Sequence, residues 1–407
     1  MPRPATIQPV AVLGTGMTDM SRRDMSPEVM AHQAVREALA DSGVEPARLG
    51  LVISSNALGG RLCDQGCVRG QSWLRKLGLG EVPIINVDNS CAGGTSGVHL
   101  AAMAARASGQ PVLVVGTEKM WTGDRAETIA GIEDGLPSEY RADMRARLAI
   151  DGNPAGSLLM GLNANWASQY MSERGATIEQ VASAAVKARK LASLNPLAQI
   201  QRPATLDEVL GSPQVAGVLT RLMCSSFTDG SAALVLASTD CDSVETAALA
   251  RSPRIVSSVA HSGDGSIDYH DRLAGLAAAA WEEFGFGPSD VDLVELHDAT
   301  SPEELYALES LGFFSPGEAG PATYAGKTCI GGGRTAVNTS GGLVGRGHPL
   351  GATGIAQIVE VANQMRRRCG DRQVPNPRIG VTVNTGGIIE GDAAYVGIHA
   401  LAAGASR

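Results

Sequence analysis

The segment Asn89-Ser90-Cys91-Ala92-Gly93-Gly94 sets a thiol between a strand-like run, Ile84–Val87, and an alanine-rich stretch that reads as a helix from about Gly94 to Ala107. At a helix N-terminus, free N–H groups and the positive end of the macrodipole favour a thiolate. Only small residues flank the cysteine, so a substrate carbonyl could come close to the backbone. A small buried cysteine packing a strand–helix turn has the same local sequence, so Cys91 needs partners before it counts as a nucleophile. Two histidines can supply them. His297 follows the strand-like run Val294-Glu295-Leu296, at the strand end where open α/β sheets place their sites. His348 lies in the glycine-rich run Gly345-Arg346-Gly347-His348-Pro349-Leu350-Gly351-Ala352-Thr353-Gly354, just ahead of a helix. A cysteine nucleophile needs one group to activate or protonate and another to stabilise developing charge. Cys91, His297 and His348 fall at equivalent loop ends of a repeated architecture. A fourth segment, Val383-Asn384-Thr385-Gly386-Gly387, reads as a loop after the last strand, with glycine N–H groups open to an oxyanion, although a plain glycine turn reads the same way.

Other motifs lead elsewhere. Gly14-Thr15-Gly16 follows a strand, but Asp19 stands where a dinucleotide fingerprint has its third glycine. Gly326-Lys327-Thr328 resembles the end of a phosphate loop, yet position 321 is proline. Cys63 and Cys67 have no second ligand pair nearby, so no metal is expected. Arg366-Arg367-Arg368 ends a helix-like stretch, where cations complement the dipole; a solvated helix end is the default and a coenzyme phosphate the alternative. His32, His99, His261, His270 and His399 read as ordinary structural or surface histidines.

The elements that must position the three residues occur twice. The first copy runs strand Val10–Leu13, helix Pro27–Ser42 and strand Leu49–Ser54. The second runs strand Arg254–Val259, helix Asp271–Phe284 and strand Val291–Leu296, and each helix stops at a glycine turn. Both copies continue alike. Ile84–Val87, a small-residue loop, a long helix and strand Pro111–Val115 match Ala336–Asn338, another small-residue loop, a helix over about Thr353–Arg368 and strand Arg378–Val383. Two βαβαβ halves imply parallel sheets enclosing buried helices. The expected organisation is an N-terminal half over residues 1–120 plus 226–250, an inserted lid-like substrate domain over 121–225, and a C-terminal half over 251–407. The insert has no match in the second copy, and long insertions in compact folds are usually functional.

Composition agrees with a large globular enzyme. The chain has 407 residues, 50 of them glycine, with 4% aromatic and 44% hydrophobic residues. The glycines sit between Val/Ile/Leu/Ala-rich segments, as close helix packing and tight site loops require. A net charge of −9 gives no attractive field for nucleic acid or an anionic membrane surface. No apolar stretch approaches the roughly 18 residues of a membrane span, and the N-terminus lacks a signal-peptide layout. Seven scattered cysteines read as reduced thiols, and the expected location is cytoplasmic.

The cysteine loop at 89–94, the Gly-His-Pro-Leu-Gly-Ala-Thr-Gly run at 347–354 and Thr228-Asp229-Gly230-Ser231-Ala232-Ala233 together resemble the thiolase superfamily. His297-Asp298, Asn195-Pro196 and Cys224-Ser225-Ser226 are similar to its sterol-carrier-protein-type branch. The resemblance spans essentially the whole chain. It implies a five-layered αβαβα sandwich, a homodimer or tetramer, and acyl-CoA thioesters as substrates with no permanently bound cofactor. Carried over, Cys91 is the acylated nucleophile, and its amide contributes to an oxyanion hole with the Gly386 N–H. His348 helps activate the nucleophile, His297 assists enolate stabilisation, and Ser225 contacts the pantetheine of coenzyme A.

Two positions depart from the family. Thiolases carry a second, acid/base cysteine in a C-terminal Cys-x-Gly loop, where this chain has Asn384. The sterol-carrier branch places it right after His-Asp, where this chain has Ala299. Cys329 and Cys369 sit in other contexts. Neither asparagine nor alanine takes a proton from an acetyl methyl group, so ordinary thiolysis is in doubt, and the remaining Cys–His–His set resembles that of decarboxylating ketoacyl synthases. The expected activity is acyl transfer from coenzyme A through Cys91 to a carbon nucleophile. The alternative is a thiolase-like subunit of an acyltransferase or aldolase complex, working beside a small OB-fold partner. A retro-aldol lyase is a third reading, against which the retained Cys91 argues.

Overall fold

The computed structural model describes residues 9–22, 24–148 and 156–405. The first half supplies strands β1 (Val10–Met17), β2 (Leu51–Ser55), β3 (Ile84–Val87) and β4 (Val112–Glu118), with helices α1 (Pro27–Ser42) and α2 (Gly93–Ser108). Helix α1 begins where its sequence says it should. The Ser26 side chain accepts from the Val29 N–H, Pro27 fills the first turn, and Gly43 closes the helix in the left-handed region at φ 69°. An insertion follows, with helices α3 (Arg125–Glu133), α4 (Ser138–Leu148), α5 (Leu158–Arg174) and α6 (Ile178–Ser193), before β5 (Gly230–Ser238) returns to the sheet. The second half contains β6 (Arg254–Ser262), α7 (Tyr269–Phe284), β7 (Leu293–Glu295), α8 (Ser301–Ser310), β8 (Ala336–Val337), α9 (Leu350–Met365), β9 (Ile379–Ile389) and β10 (Asp392–Ala402).

The ten strands lie in the order β8-β7-β9-β10-β6-β1-β5-β4-β2-β3. This is one five-strand pattern twice, joined where β1 meets β6 through the pairs Val10–Ile255 and Ala11–Arg254. Each half is mixed rather than parallel, which corrects the expectation from the βαβαβ pattern. β2 runs parallel to β3 and β4, but β5 lies antiparallel between β4 and β1. In the second half β10 takes that place between β9 and β6. The reason lies in the connections. In the first half residues 119–229 separate the paired strands, whereas in the second the two-residue turn Glu390-Gly391, both at positive φ, closes a tight hairpin.

Helices α2 and α9 pack against each other between the two half-sheets. Their alanines and aliphatics, among them Ala101, Ala102, Ala105, Ile355, Ala356, Ile358 and Val361, share one core with strand residues of both halves. Helix α1 covers the outer face of the first half-sheet, and α7 with α8 that of the second, completing five layers. Of the run expected as a solvated helix end or a coenzyme site, Arg367 and Arg368 are exposed, whereas Arg366 is turned into the protein. Arg366 bonds Asp41 at 2.8 Å and the Leu13 carbonyl at 2.9 Å, and Arg368 bonds Asp41 at 2.7 Å. Gly14 and Gly16 lie inside β1, not in a nucleotide loop.

The insertion packs its own alanine-rich core along α5 and α6 and is tied to the second half by a buried ion pair, Lys187 Nζ to Glu304 Oε1 at 2.5 Å. Removing one member strands a buried charge. Lys187→Met is therefore expected to lower unfolding free energy by about 3–5 kcal/mol in a denaturant titration, with part of the loss recovered in Lys187→Met/Glu304→Leu. An unchanged single variant would show that the pair does not hold the insertion.

Candidate active site

Three chain segments bring the chemistry together. Cys91 sits in a tight turn ahead of α2, where Ser90 adopts φ 52°, Ala92 donates to the Asn89 carbonyl at 2.9 Å and Gly93 to the Ser90 carbonyl at 3.1 Å. Asn89 Nδ2 donates to Ser96 Oγ at 2.8 Å, which anchors the turn to α2. His297 leaves β7, and the next residue, Asp298, accepts from the Leu343 N–H at 2.7 Å. His348 precedes α9, with its amide donating to Thr228 Oγ1 at 3.2 Å. Cys91 Sγ and one nitrogen of each imidazole all lie within 4.8 Å of one another. The two rings meet edge to face, 5.1 Å between centroids.

The Nδ1 atom of each ring is occupied from behind. Asn384 Nδ2 lies 3.1 Å from His297 Nδ1, and Thr353 Oγ1 lies 2.7 Å from His348 Nδ1. Glu118, at the end of β4, latches the surrounding loops. Its carboxylate accepts from the amides of Ala57, Leu58 and Gly351 and from Asn56 Nδ2, at 2.7–3.0 Å.

Burial dominates the electrostatics. It pushes the Cys91 thiol up to about 12, outweighing the helix terminus, so the resting thiol keeps its proton and needs a base. Burial lowers His297 to about 4 and carries His348 well below its ordinary value, helped there by His297 and Arg346, so both rings are neutral at pH 7. For a histidine depressed in the folded state, the unfolded chain takes up the extra proton. The stabilising contribution is present above about pH 6.5 and is lost as pH falls toward 4. The thermal midpoint is therefore expected to drop between pH 7 and 4.5, His297 accounting for on the order of 3 kcal/mol. His297→Asn should flatten that slope, and an equally steep slope in the variant would contradict the assignment.

A cavity of about 560 Å³ opens onto the cluster. Cys91, His297, His348, Gly386 and Ser225 all line it, so every site residue expected from the sequence converges on one space. Gly386 is not in a loop after the last strand. It lies within β9, paired with Tyr395 of the following β10. A Cβ there would come 2.3 Å from both the Ala92 nitrogen and the Asn89 carbonyl, so only glycine lets this strand press against the cysteine turn. The Ser225 N–H donates to the Ala299 carbonyl at 2.9 Å. The insertion contributes Ile129, Leu159, Met160 and Trp166 to an apolar wall, while Arg22, Arg125 and Arg221 are exposed at the lining.

Cys329 and Cys369 do not line the cavity. Cys224, not weighed as a second thiol from the sequence, does, but it donates to the Thr220 carbonyl at 3.5 Å and stands outside the three-residue cluster. Ala299 lines the cavity with a methyl group, and Asn384 stands fully buried behind His297. Cysteine and two histidines are also metal-ligand types, the one such group among the described residues. Thr353 and Glu118 escaped the sequence reading. Thr353 had a signal, five residues after His348 at the start of a helix; Glu118 is a lone acid at a strand end.

A duplicated five-layered sandwich, with a cysteine and two histidines meeting at its loop ends over one cavity, is the build of a thiolase-like protein. The family model for the thiolase N-terminal domain matches residues 10–240, and that for the thiolase C-terminal domain-like region matches residues 266–397. The chain belongs to the thiolase family, whose relatives include acyltransferases. It is 36% identical to an acetyl-CoA acetyltransferase of Methanothermobacter thermautotrophicus, over 93% of this chain and 96% of that one. It is 31% identical to human sterol carrier protein 2, over 94% of this chain and 71% of that protein, in line with the branch inferred from His297-Asp298. Among solved structures, the Ltp2-ChsH2(DUF35) aldolase superposes with a TM-score of 0.78 at 25% identity, covering 97% of both chains. Among the described residues no helix is long and apolar enough to cross a membrane.

Proposed function

We propose that the protein transfers an acyl group from a coenzyme A thioester, through a thioester on Cys91, to a carbon nucleophile. The observation that carries this reading is the grouping of Cys91 Sγ with one nitrogen each of His297 and His348 on a single cavity. The Cys91 proton passes to His348 as the sulfur attacks the thioester carbonyl, and coenzyme A leaves with that proton. Amides at Cys91 and Gly386 hold the oxyanion. In the second half-reaction a carboxylated thioester acceptor loses carbon dioxide to give its carbanion, with His297 on the enolate oxygen; the carbanion attacks the acyl carbonyl, and the departing Cys91 thiolate regains a proton from water through His348. The exposed Arg22, Arg125 and Arg221 suit the phosphates of coenzyme A, and Ser225 its pantetheine. Residues 121–225 act as the substrate-selecting insert between halves 1–120 plus 226–250 and 251–407. With Asn384 and Ala299 in place of the second cysteine, carbon–carbon bond formation fits better than ordinary thiolysis. Intact mass after incubation with acetyl-CoA and longer acyl-CoAs tests the reading. An acyl adduct on the Cys91 peptide is expected, and its absence with every thioester would overturn it.

A second reading, a thiolase-like subunit of a larger complex, is favoured by the likeness to the Ltp2-ChsH2(DUF35) aldolase. It assigns this chain a small OB-fold partner. Full turnover by the isolated chain would rule it out. We also place the protein in the cytoplasm as a homodimer or tetramer. The terminal strand β3 leaves Ile85 48% exposed, and neighbouring α2 exposes Leu100 and Met103, apolar surface on an unpaired sheet edge. Light scattering at the mass of one chain would exclude this.

A further inference from the structure

His297 and His348 stand side by side, but the groups behind them are chemically opposite. Thr353 Oγ1, 2.7 Å from His348 Nδ1, has its own hydrogen directed to the Pro349 carbonyl at 2.9 Å. A hydroxyl has one hydrogen, so toward the ring Thr353 can only accept, and His348 must carry its proton on Nδ1. Behind His297 the atom facing Nδ1, at 3.1 Å, is the amide nitrogen of Asn384, which can only donate. Nδ1 of His297 must therefore be the bare nitrogen, and its proton sits on Nε2. Asn384 is fully buried and its Oδ1 is unpartnered, so the contact with His297 is the one hydrogen bond its side chain makes among the described residues. Both rings are kept neutral by burial, the condition under which a tautomer is a defined property.

We infer that Thr353 and Asn384 are positioning residues that lock the two site histidines in opposite tautomers, His348 with a bare Nε2 and His297 with a protonated Nε2. The two rings then offer the cavity one acceptor and one donor. Nε2 of His348 is a lone pair for the Cys91 proton, and Nε2–H of His297 is a donor for a thioester or enolate oxygen. The roles rest on the acyl-transfer reading; the tautomers do not. Asn384 thus has a task of its own where related enzymes place an acid/base cysteine. A cysteine thiol, donor or acceptor by rotation, would leave the His297 tautomer undefined.

Two-bond nitrogen–proton spectra of the full-length protein carrying 15N-histidine, at pH 7.5, read tautomers without any substrate. The His297 and His348 signals are assigned through His297→Gln and His348→Gln. The expected wild-type spectrum shows His297 protonated on Nε2 alone and His348 on Nδ1 alone. Asn384→Asp should put a proton on His297 Nδ1 and leave His348 unchanged. Thr353→Val should release His348 into mixed tautomers and slow alkylation of Cys91 by iodoacetamide about tenfold, and Thr353→Ser should restore both. If the valine variant does not fold, the wild-type, Asn384→Asp and Thr353→Ser spectra decide. Both rings in the same tautomer, a charged ring at pH 7.5, or an Asn384→Asp protein with His297 unmoved would overturn the inference. Because these signals need no acyl-CoA, a failure of the acyl-transfer reading would show separately, as absence of the Cys91 adduct.

Discussion

Cys91→Ala is expected to abolish the acyl adduct and lower any acyl-transfer turnover by at least about 10³-fold while leaving the fold intact. The side chain is small and partly buried in a turn whose shape comes from backbone bonds, Ala92 to Asn89 and Gly93 to Ser90, so losing the sulfur removes chemistry rather than support. The size of the loss follows from the protonation states. A thiol pushed up to about 12 is a poor nucleophile by itself, and its reactivity depends on delivering its proton to a neutral imidazole within 4.8 Å. Removing either partner dismantles the same step, so Cys91→Ala and His348→Ala should cost less in combination than their separate losses predict. The measurement is intact mass against time with acetyl-CoA, beside thermal melts of wild type and variant. An undiminished adduct in Cys91→Ala would place the acyl group elsewhere and sink the proposed function.

Gly116→Ala is the second large effect, expected to cost about 3 kcal/mol or more in unfolding free energy and to disable the site with it. Gly116 lies in β4 beneath the start of α9, and a Cβ there would meet the Gly351 carbonyl oxygen at 2.1 Å and Ala352 Cα at 2.8 Å. Both obstacles are backbone, so no side-chain rotation relieves the overlap. Strand and helix must separate, and they are latched here by Glu118 accepting from the Gly351 N–H at 2.9 Å. Any separation moves His348, three residues before Gly351. Gly275→Ala is the matched control. It lies in α7 with nothing within 4 Å of its added Cβ, and alanine there should be neutral or stabilising by up to about 1 kcal/mol. A chemical denaturation series in which the two variants behave alike would refute the close-packing argument.

Most of the local structure was legible. Helix α1 runs from Pro27 to Ser42 and stops at Gly43 as expected, and Ile84–Val87 is a strand as read. The strand directions were not. A βαβαβ pattern implies parallel neighbours, and only the long-range return of β5 and the hairpin into β10 insert an antiparallel strand into each half. The Gly386 segment was misplaced for a related reason. Glycines after a hydrophobic run read as a loop, but here the strand continues to Ile389 because β10 pairs along its whole length.

By itself the sequence determined the duplication, the bounds of α1 and the residue types of the site, because glycine stops and hydrophobic periods are local signals; the helix expected over about Thr353–Arg368 runs instead over Leu350–Met365. It also determined that no cysteine occupies position 299 or 384. Tertiary structure alone decided that Cys91, His297 and His348 share one cavity, since the three are brought together by strand order across two halves of the chain. It also decided the protonation states and what stands behind each ring. Burial turns a thiol that a helix terminus would ionise into one that keeps its proton, and the hydrogen Thr353 sends to Pro349 leaves it only an acceptor toward His348. Desolvation, and the contact of Asn384 with His297, depend on neighbours distant in the chain, which no local pattern encodes; Thr353, five residues from His348, is the local exception.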